Sequence, residues 1–207
     1  MNAPAQVIKH GRKWDQVLYG ARKVFMRDGF EGGSVDDIVR EAGVSKATLY
    51  SYFPDKRLLF LEVAKAECKS QSDAAIAQVE ATGDIRQALT QAAGRMVRFF
   101  MSDVGMQVYR IVVAESQRFP EIGRDFYNSG PAMVSQMLAK FLTKAVEDGK
   151  LKIDDIDLAA DQFPELCKAG LHIEMVLGLR NSVTDADIDR VIDGAVDMFL
   201  CRYGVDS

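Results

Sequence analysis

Residues 34–56 read SVDDIVREAGVSKATLYSYFPDK, and this stretch decides the fold of the N-terminal part of the chain. Ser34 is a favourable helix N-cap, and the aspartates that follow it suit the positive end of a helix dipole. Gly43 breaks that helix, Ser45 caps a second short helix, and a proline closes it. The pattern therefore predicts a helix-turn-helix over residues 34–53.

The second short helix begins with the side chains that a DNA-reading helix needs. Lys46, Ala47 and Thr48 lie in its first turn, and Leu49 is the apolar anchor on its inner side. A helix that enters a major groove about 12 Å wide must offer short or polar side chains to base edges and phosphates. Helix-turn-helix geometry also arises by chance in all-helical proteins, where tyrosines are often half-buried. Spacing alone leaves DNA binding and core packing as equal alternatives.

The candidate DNA contacts lie in and around this helix. Lys46 and Tyr50 share one helical face at i, i+4 spacing, and we expect both to reach base edges. Ala47 can touch a thymine methyl group. The remaining candidates are better placed for phosphates, and they are Ser34, Thr48, Tyr52 and Lys56.

The region around these helices resembles the DNA-binding part of the TetR family of repressors. The most specific match is TLYSYFPDK at residues 48–56, the preceding ARKVFMRDGF at 21–30 is also similar, and the match covers residues 11–71. The resemblance implies a three-helix head, a fully helical ligand-binding body, a homodimer, and DNA contacts at the positions named above other than Ser34. The family usually has alanine where this chain has Val39, so we expect the second helix to pack differently there.

The rest of the chain is expected to be helical, because apolar residues recur at three- and four-residue spacing. We predict an all-α fold with a helix-turn-helix DNA-binding domain at 11–71 and a helical ligand-binding and dimerisation domain at 72–207. Pro164 predicts a kink inside its helix. The predicted helices outside the helix-turn-helix cover 13–28, 55–79, 84–101, 106–118, a short piece ending at Gly130, 131–147, 156–178 and 185–203.

The body contains many methionines and aromatic residues, which suit a pocket for varied apolar molecules. Its segment YRIVVAESQRFPEIGRDFYNSGP, residues 109–131, resembles the C-terminal domain of the AefR-like branch of the family, which includes regulators of efflux pumps and of cell signalling. For any single residue, a place in an ordinary core is the commoner outcome. The candidate ligand contacts are Phe99, Met106, Tyr109, Phe126, Met133, Phe163, His172 and Met175.

The helix predicted at 185–203 has a broad apolar stripe, which includes Ile188, Val191, Ile192, Ala195, Val196, Phe199 and Leu200. Together with the helix at 156–178 it could build an intermolecular four-helix bundle, with Gly194 and Ala195 allowing close approach. The alternative is a terminal helix that folds back onto its own body.

The charge is unevenly distributed along the chain. The net charge is −4, yet residues 1–60 contain 10 Lys and Arg against 7 Asp and Glu, a balance of +3. An acidic body is repelled by DNA and helps to restrict contact to the head. The sequence has no metal-ligand spacing, no cofactor motif, no secretion signal and no long apolar span, so we expect a cytoplasmic protein without metal or cofactor.

These features together predict a ligand-responsive transcriptional regulator, by the family's usual mode a repressor. It is expected to bind double-stranded operator DNA as a homodimer and to be released by a small apolar or amphipathic effector. One alternative is a helical small-molecule-binding protein or enzyme with a vestigial head. A non-specific, nucleoid-type DNA-binding protein is the other, and the low charge of the head makes it the weaker one.

Overall fold

The computed structural model describes residues 11–66 and 84–205. Within these ranges the chain is helical without a β-strand, and an isolated antiparallel bridge joins Leu151 to Gly204. The chain divides into two compact units between Gln71 and Ser72. The C-terminal part of the helix predicted at 55–79 lies outside the described residues, and so does Cys68.

The first unit, here called the head, contains α1 (Arg12–Gly32), α2 (Val35–Ala42), α3 (Lys46–Tyr52) and α4, which is described from residue 56 to residue 66. The regular part of α1 ends where predicted, because Gly29 takes a φ of 71° that favours glycine. The inner face of α1 is buried, and its buried residues are Trp14, Val17, Gly20, Ala21, Val24 and Phe25.

Close contact between α1 and α2 depends on Gly20. A Cβ atom placed there would lie 2.7 Å from both the Cβ and the backbone nitrogen of Ala42. Ile38 and Ala42 form the buried face of α2, whereas Val39 is only half-buried. Val39, where the family usually has alanine, is therefore not part of the fully buried face of α2.

The second unit, the body, contains α5 (Ile85–Phe100), α6 (Asp103–Glu115), α7 (Pro120–Ser129), α8 (Pro131–Glu147), α9 (Ile156–Leu166), α10 (Leu171–Val176) and α11 (Asp185–Tyr203). In its core α8 packs on α9 and α5 packs on α11. The rings of Phe163 and Phe199 meet there at 5.0 Å. Thr184 caps α11 in a reciprocal capping box with Asp187.

One helix predicted in the body is displaced by about three residues, and another prediction was wrong. The helix predicted at 106–118 begins earlier, at Asp103, because the Ser102 side chain caps it by accepting from the Gly105 nitrogen. The stretch 156–178 is two helices instead of one kinked helix. Pro164 has no N–H to continue the hydrogen-bond ladder, and α9 ends soon after it. Gly170, at φ 74°, directly precedes α10.

The apolar stripe of α11 packs inside its own body. Ala195 is 4 % exposed, and the other stripe residues are buried apart from half-buried Leu200. The folding-back alternative is therefore correct for this stripe, and the prediction that it forms an intermolecular bundle was wrong. Gly194 faces outward, with no atom within 4 Å of a Cβ placed there.

No helix in the described part of the chain is long and apolar enough to cross a membrane. Cys167 is buried and Cys201 is exposed. Burial raises the pKa of the Cys167 thiol to about 12, so this thiol stays protonated and acts as a core side chain.

Candidate nucleic-acid interface

The α3 helix is fixed at both ends by local contacts. The Ser45 side chain accepts from the Thr48 backbone nitrogen at 3.1 Å and caps the helix, and the two hydroxyl oxygens lie 2.9 Å apart. Leu49 is fully buried, as predicted, and Phe53 is 3 % exposed at the other end. These anchors determine which face of α3 is open to solvent.

The open face of α3 carries three of the predicted contacts. Lys46 and Ala47 are exposed, and Tyr50 is 46 % exposed. Lys46 Nζ lies 2.6 Å from Asp36 Oδ1 on α2. The hydrogen bond and the negative charge of Asp36 raise the pKa of the Lys46 ammonium group. Lys46 is therefore charged and Tyr50 accessible, as contact with DNA requires.

Tyr52 and Lys56 are less accessible than the other candidates. Tyr52 is half-buried and presents its ring edge-on to Trp14 at 5.7 Å, while Trp14 also packs on Phe53 at 4.4 Å. Lys56 is half-buried with its Nζ 4.5 Å from the centre of the Phe30 ring. Both side chains therefore help to hold the head together, whatever they contact in addition.

Two predicted phosphate contacts already use their hydroxyl groups in helix caps. Ser34 Oγ accepts from the Asp37 nitrogen at 3.1 Å and donates to Asp37 Oδ2 at 2.5 Å. The Thr48 hydroxyl forms a hydrogen bond with the Ser45 hydroxyl. A phosphate near Ser34 would therefore meet a hydroxyl that already donates to Asp37, whereas the Thr48 hydroxyl can accept from Ser45 and still donate to a phosphate.

Carboxylates lie beside many cations of the head. Lys23 pairs with Glu41 at 2.8 Å, and the hydrogen bond between them lowers the pKa of Glu41. The other pairs are Arg27–Asp28, Arg40–Asp37, Lys46–Asp36, Arg57–Asp55 and Lys65–Glu62. DNA phosphates approaching this surface must compete with these carboxylates. Sequence reasoning missed the position of Asp36, because its pairing with Lys46 depends on how α2 and α3 are placed.

The candidate ligand contacts in the body fall into two groups. Met106, Phe163 and Met175 are buried in the main core cluster of the body. The other five are half-buried residues, namely Phe99, Tyr109, Phe126, Met133 and His172. Two of these meet, since the Tyr109 and His172 rings make an edge-on contact at 4.8 Å. Burial, and then the charge of Lys168, lower the pKa of His172.

Two open grooves mark the surface of the body. One, of about 630 Å³, runs between α9 and α11, where Leu166 and Phe199 contribute to its largely apolar lining and Met198 is 62 % exposed. The other, of about 740 Å³, lies between α5 and α11 and is more polar. None of the candidate ligand contacts lines either groove.

The sequence matches family profiles in both units. The profile described as bacterial regulatory proteins of the tetR family matches residues 17–63, which include α2 and α3. The profile of the AefR-like transcriptional repressor C-terminal domain matches residues 87–205, more than half of the chain. The chain belongs to the TetR family. It is thus a TetR-family transcriptional regulator, and its AefR-like body agrees with the resemblance of residues 109–131.

Known regulatory proteins resemble most of the chain. The flavonoid-responsive regulator FrrA is 35 % identical, with a TM-score of 0.66 over 96 % of this chain and all of that one. A TetR-family regulator from Mesorhizobium loti is 27 % identical, with a TM-score of 0.78 over 94 % of this chain and 98 % of that one. The repressor AcnR of Corynebacterium glutamicum is 21 % identical over 87 % of this chain and 82 % of its own length. These relatives are transcriptional regulators, not enzymes.

Proposed function

We propose that this TetR-family regulator is a ligand-responsive repressor that binds operator DNA as a homodimer through the exposed face of α3. The observation that carries the proposal is the position of Lys46 and Tyr50, side by side and open to solvent on a helix anchored by Leu49. A lysine can donate to guanine O6 and N7, and a tyrosine hydroxyl can donate or accept. In this proposal residues 11–71 bind DNA, and residues 72–207 bind the effector and form the dimer.

The dimer would use the groove between α9 and α11. Leu158 is 49 % exposed on α9 and Met198 is 62 % exposed on α11, so apolar surface remains uncovered on this side of the body. Gly194, also exposed on α11, would allow a partner helix to approach closely. Pairing of two copies would let two α3 helices enter successive major grooves, about 34 Å apart.

The effector would be an amphipathic aromatic compound. FrrA, which is 35 % identical over nearly the whole chain, is flavonoid-responsive. The half-buried Tyr109–His172 pair offers an aromatic edge and polar groups next to the apolar body. Effector binding that favours a different spacing of the two heads lowers operator affinity, with a coupling of about 1–3 kcal/mol typical of such linkage.

The DNA-binding part is tested with an operator that the protein itself selects from a randomised duplex of about 30 base pairs, three helical turns. Fluorescence anisotropy then gives the affinity for this operator and for a random duplex. We expect Lys46→Ala and Tyr50→Ala each to weaken operator binding by about 5- to 150-fold, the value of a base contact worth about 1–3 kcal/mol. Lys144→Ala, on the body surface, serves as the control. Unchanged operator affinity in both α3 variants contradicts the proposal.

The ligand-binding part is tested by adding flavonoids to the protein–operator complex. Release of labelled operator by one of them, with the compound recovered unchanged, supports an effector role. Tyr109→Ala should then raise the concentration needed for release. If the released complex fails to re-form when the flavonoid is removed, or if the compound is chemically converted, the proposed switch is wrong.

A further inference from the structure

We propose that Asp36 is a specificity-determining residue of the head, which restrains the Lys46 ammonium group so that it favours base edges over phosphates. The inference rests on the proposed role of α3 in DNA binding and adds a residue that makes this binding selective. Asp36 lies in the first turn of α2, outside the helix that carries the predicted base contacts.

The ion pair joins the two short helices of the head. Lys46 Nζ and Asp36 Oδ1 are 2.6 Å apart, and the side chains are 55 % and 69 % exposed. Because water reaches both groups, the pair is weak enough for DNA to compete with it. It is still close enough to bias where the ammonium group points. The lysine that would read bases thus has a carboxylate beside it before DNA arrives.

The carboxylate affects the two kinds of DNA contact differently. An ammonium group has three N–H donors, so Lys46 can donate one to Asp36 and keep two for guanine O6 and N7. A phosphate contact is different, because it depends on net positive charge, which Asp36 cancels, and because the phosphate is repelled by the carboxylate. Binding to random DNA comes almost entirely from such phosphate contacts. Asp36 should therefore weaken binding to random DNA more than binding to the operator.

A second carboxylate on the same helix provides a matched control. Glu41, also on α2, pairs with Lys23 at 2.8 Å, and Lys23 additionally lies over the Tyr19 ring at 4.8 Å. Lys23 is not among the predicted base contacts. Glu41→Gln removes the same charge from the same helix as Asp36→Asn but leaves the Lys46 pair intact. The comparison separates an effect of this pair from an effect of the net charge of the head.

The experiment measures the affinity of the full-length protein for the selected operator and for a random duplex at several salt concentrations. We expect Asp36→Asn to bind the random duplex about 3- to 5-fold tighter, as suits a single exposed pair. Its preference for the operator should fall by a similar factor. For the random duplex the plot of log affinity against log salt should become steeper, by up to about 0.9 for one added phosphate contact. Glu41→Gln should change the preference less.

The same substitution in the Lys46→Ala background shows whether Asp36 acts through Lys46. There Asp36→Asn should leave the operator preference unchanged, a result that a purely structural role in α2 would not give. Circular dichroism ensures that each variant is compared while folded. Equal effects of Asp36→Asn and Glu41→Gln, or an effect that persists without Lys46, overturn the inference.

The Lys46→Ala variant also separates the inference from the function on which it rests. Loss of operator affinity in Lys46→Ala with an unchanged preference in Asp36→Asn overturns the role of Asp36 alone. Full operator affinity in Lys46→Ala, or failure of the wild-type protein to select any sequence, overturns the base-contact role of Lys46 and the inference together.

Discussion

At Gly20 a single methyl group decides whether α1 and α2 can touch. The Cβ of an alanine there would lie 2.7 Å from the Cβ of Ala42 and 2.9 Å from its Cα, and backbone atoms cannot move aside cheaply. We expect Gly20→Ala to destabilise the head by about 1–3 kcal/mol, the usual effect of overpacking. The shift of α2 should also weaken operator binding. Thermal unfolding and anisotropy measure the two effects.

Gly94→Ala is the control for Gly20→Ala. Gly94 lies inside α5, and its nearest neighbour is Ile192 Cδ1, 3.9 Å from the added Cβ, which is ordinary contact. Because alanine favours a helix more than glycine does, this variant should be more stable by about 0.5–1 kcal/mol. If Gly20→Ala matched it in stability and in DNA binding, close packing of α1 on α2 would not be needed.

The lowered pKa of His172 predicts how the stability of the body depends on pH. Burial and Lys168 lower its pKa below the ordinary 6.5, and Glu165 opposes them. As the pH falls past the ordinary histidine pKa, the unfolded chain binds a proton at His172 more readily than the folded chain does. The stability of the fold therefore falls as the pH falls. His172→Phe keeps a ring against Tyr109 but cannot titrate. Between about pH 7.5 and pH 5.5 its unfolding temperature should fall less than that of the wild type. Parallel decreases in the two proteins would contradict this assignment.

At the scale of single residues, the sequence predicts the features that depend only on residues close together in the chain. The Ser34 and Ser45 caps and the buried Leu49 follow from local spacing, and all are found in the structure. The Asp36–Lys46 ion pair and the Gly20–Ala42 contact depend on how separate helices are placed. A glycine in the middle of the amphipathic α1 was nevertheless a signal of close packing that could have been noticed.

At the scale of helices, the type of element was more predictable than its ends. Apolar periodicity correctly indicated an all-α fold, because a stripe at helical spacing must be buried somewhere. It could not show that Pro164 and Gly170 together divide the stretch 156–178, since a proline can also kink a helix that continues. The apolar stripe of α11 was equally consistent with packing on a partner chain and with packing on its own body. Only packing on α5 and α9 decided between them.

At the scale of the whole molecule, the proposed dimer depends on apolar surface that the chain leaves uncovered. Met198 is exposed beside the groove between α9 and α11, whereas the residues of the α11 stripe are largely buried in the body. A glutamate at position 198 would place a charge in the proposed interface, where desolvation is costly. It would remain solvated in a monomer. We therefore expect Met198→Glu to be folded and monomeric by sedimentation analysis.

The same variant links assembly to DNA binding. A monomer presents one α3 helix to the DNA, so it loses the gain in affinity that comes from joining two heads in one molecule. Operator binding by Met198→Glu should therefore fall by at least about 100-fold, the lower end of the range for linked sites. Met137→Glu introduces the same charge on α8, at a methionine that is 36 % exposed, and should leave both properties unchanged. A Met198→Glu protein that stays dimeric would place the interface elsewhere on the body. A monomer with full operator affinity would instead mean that one head is sufficient to bind DNA.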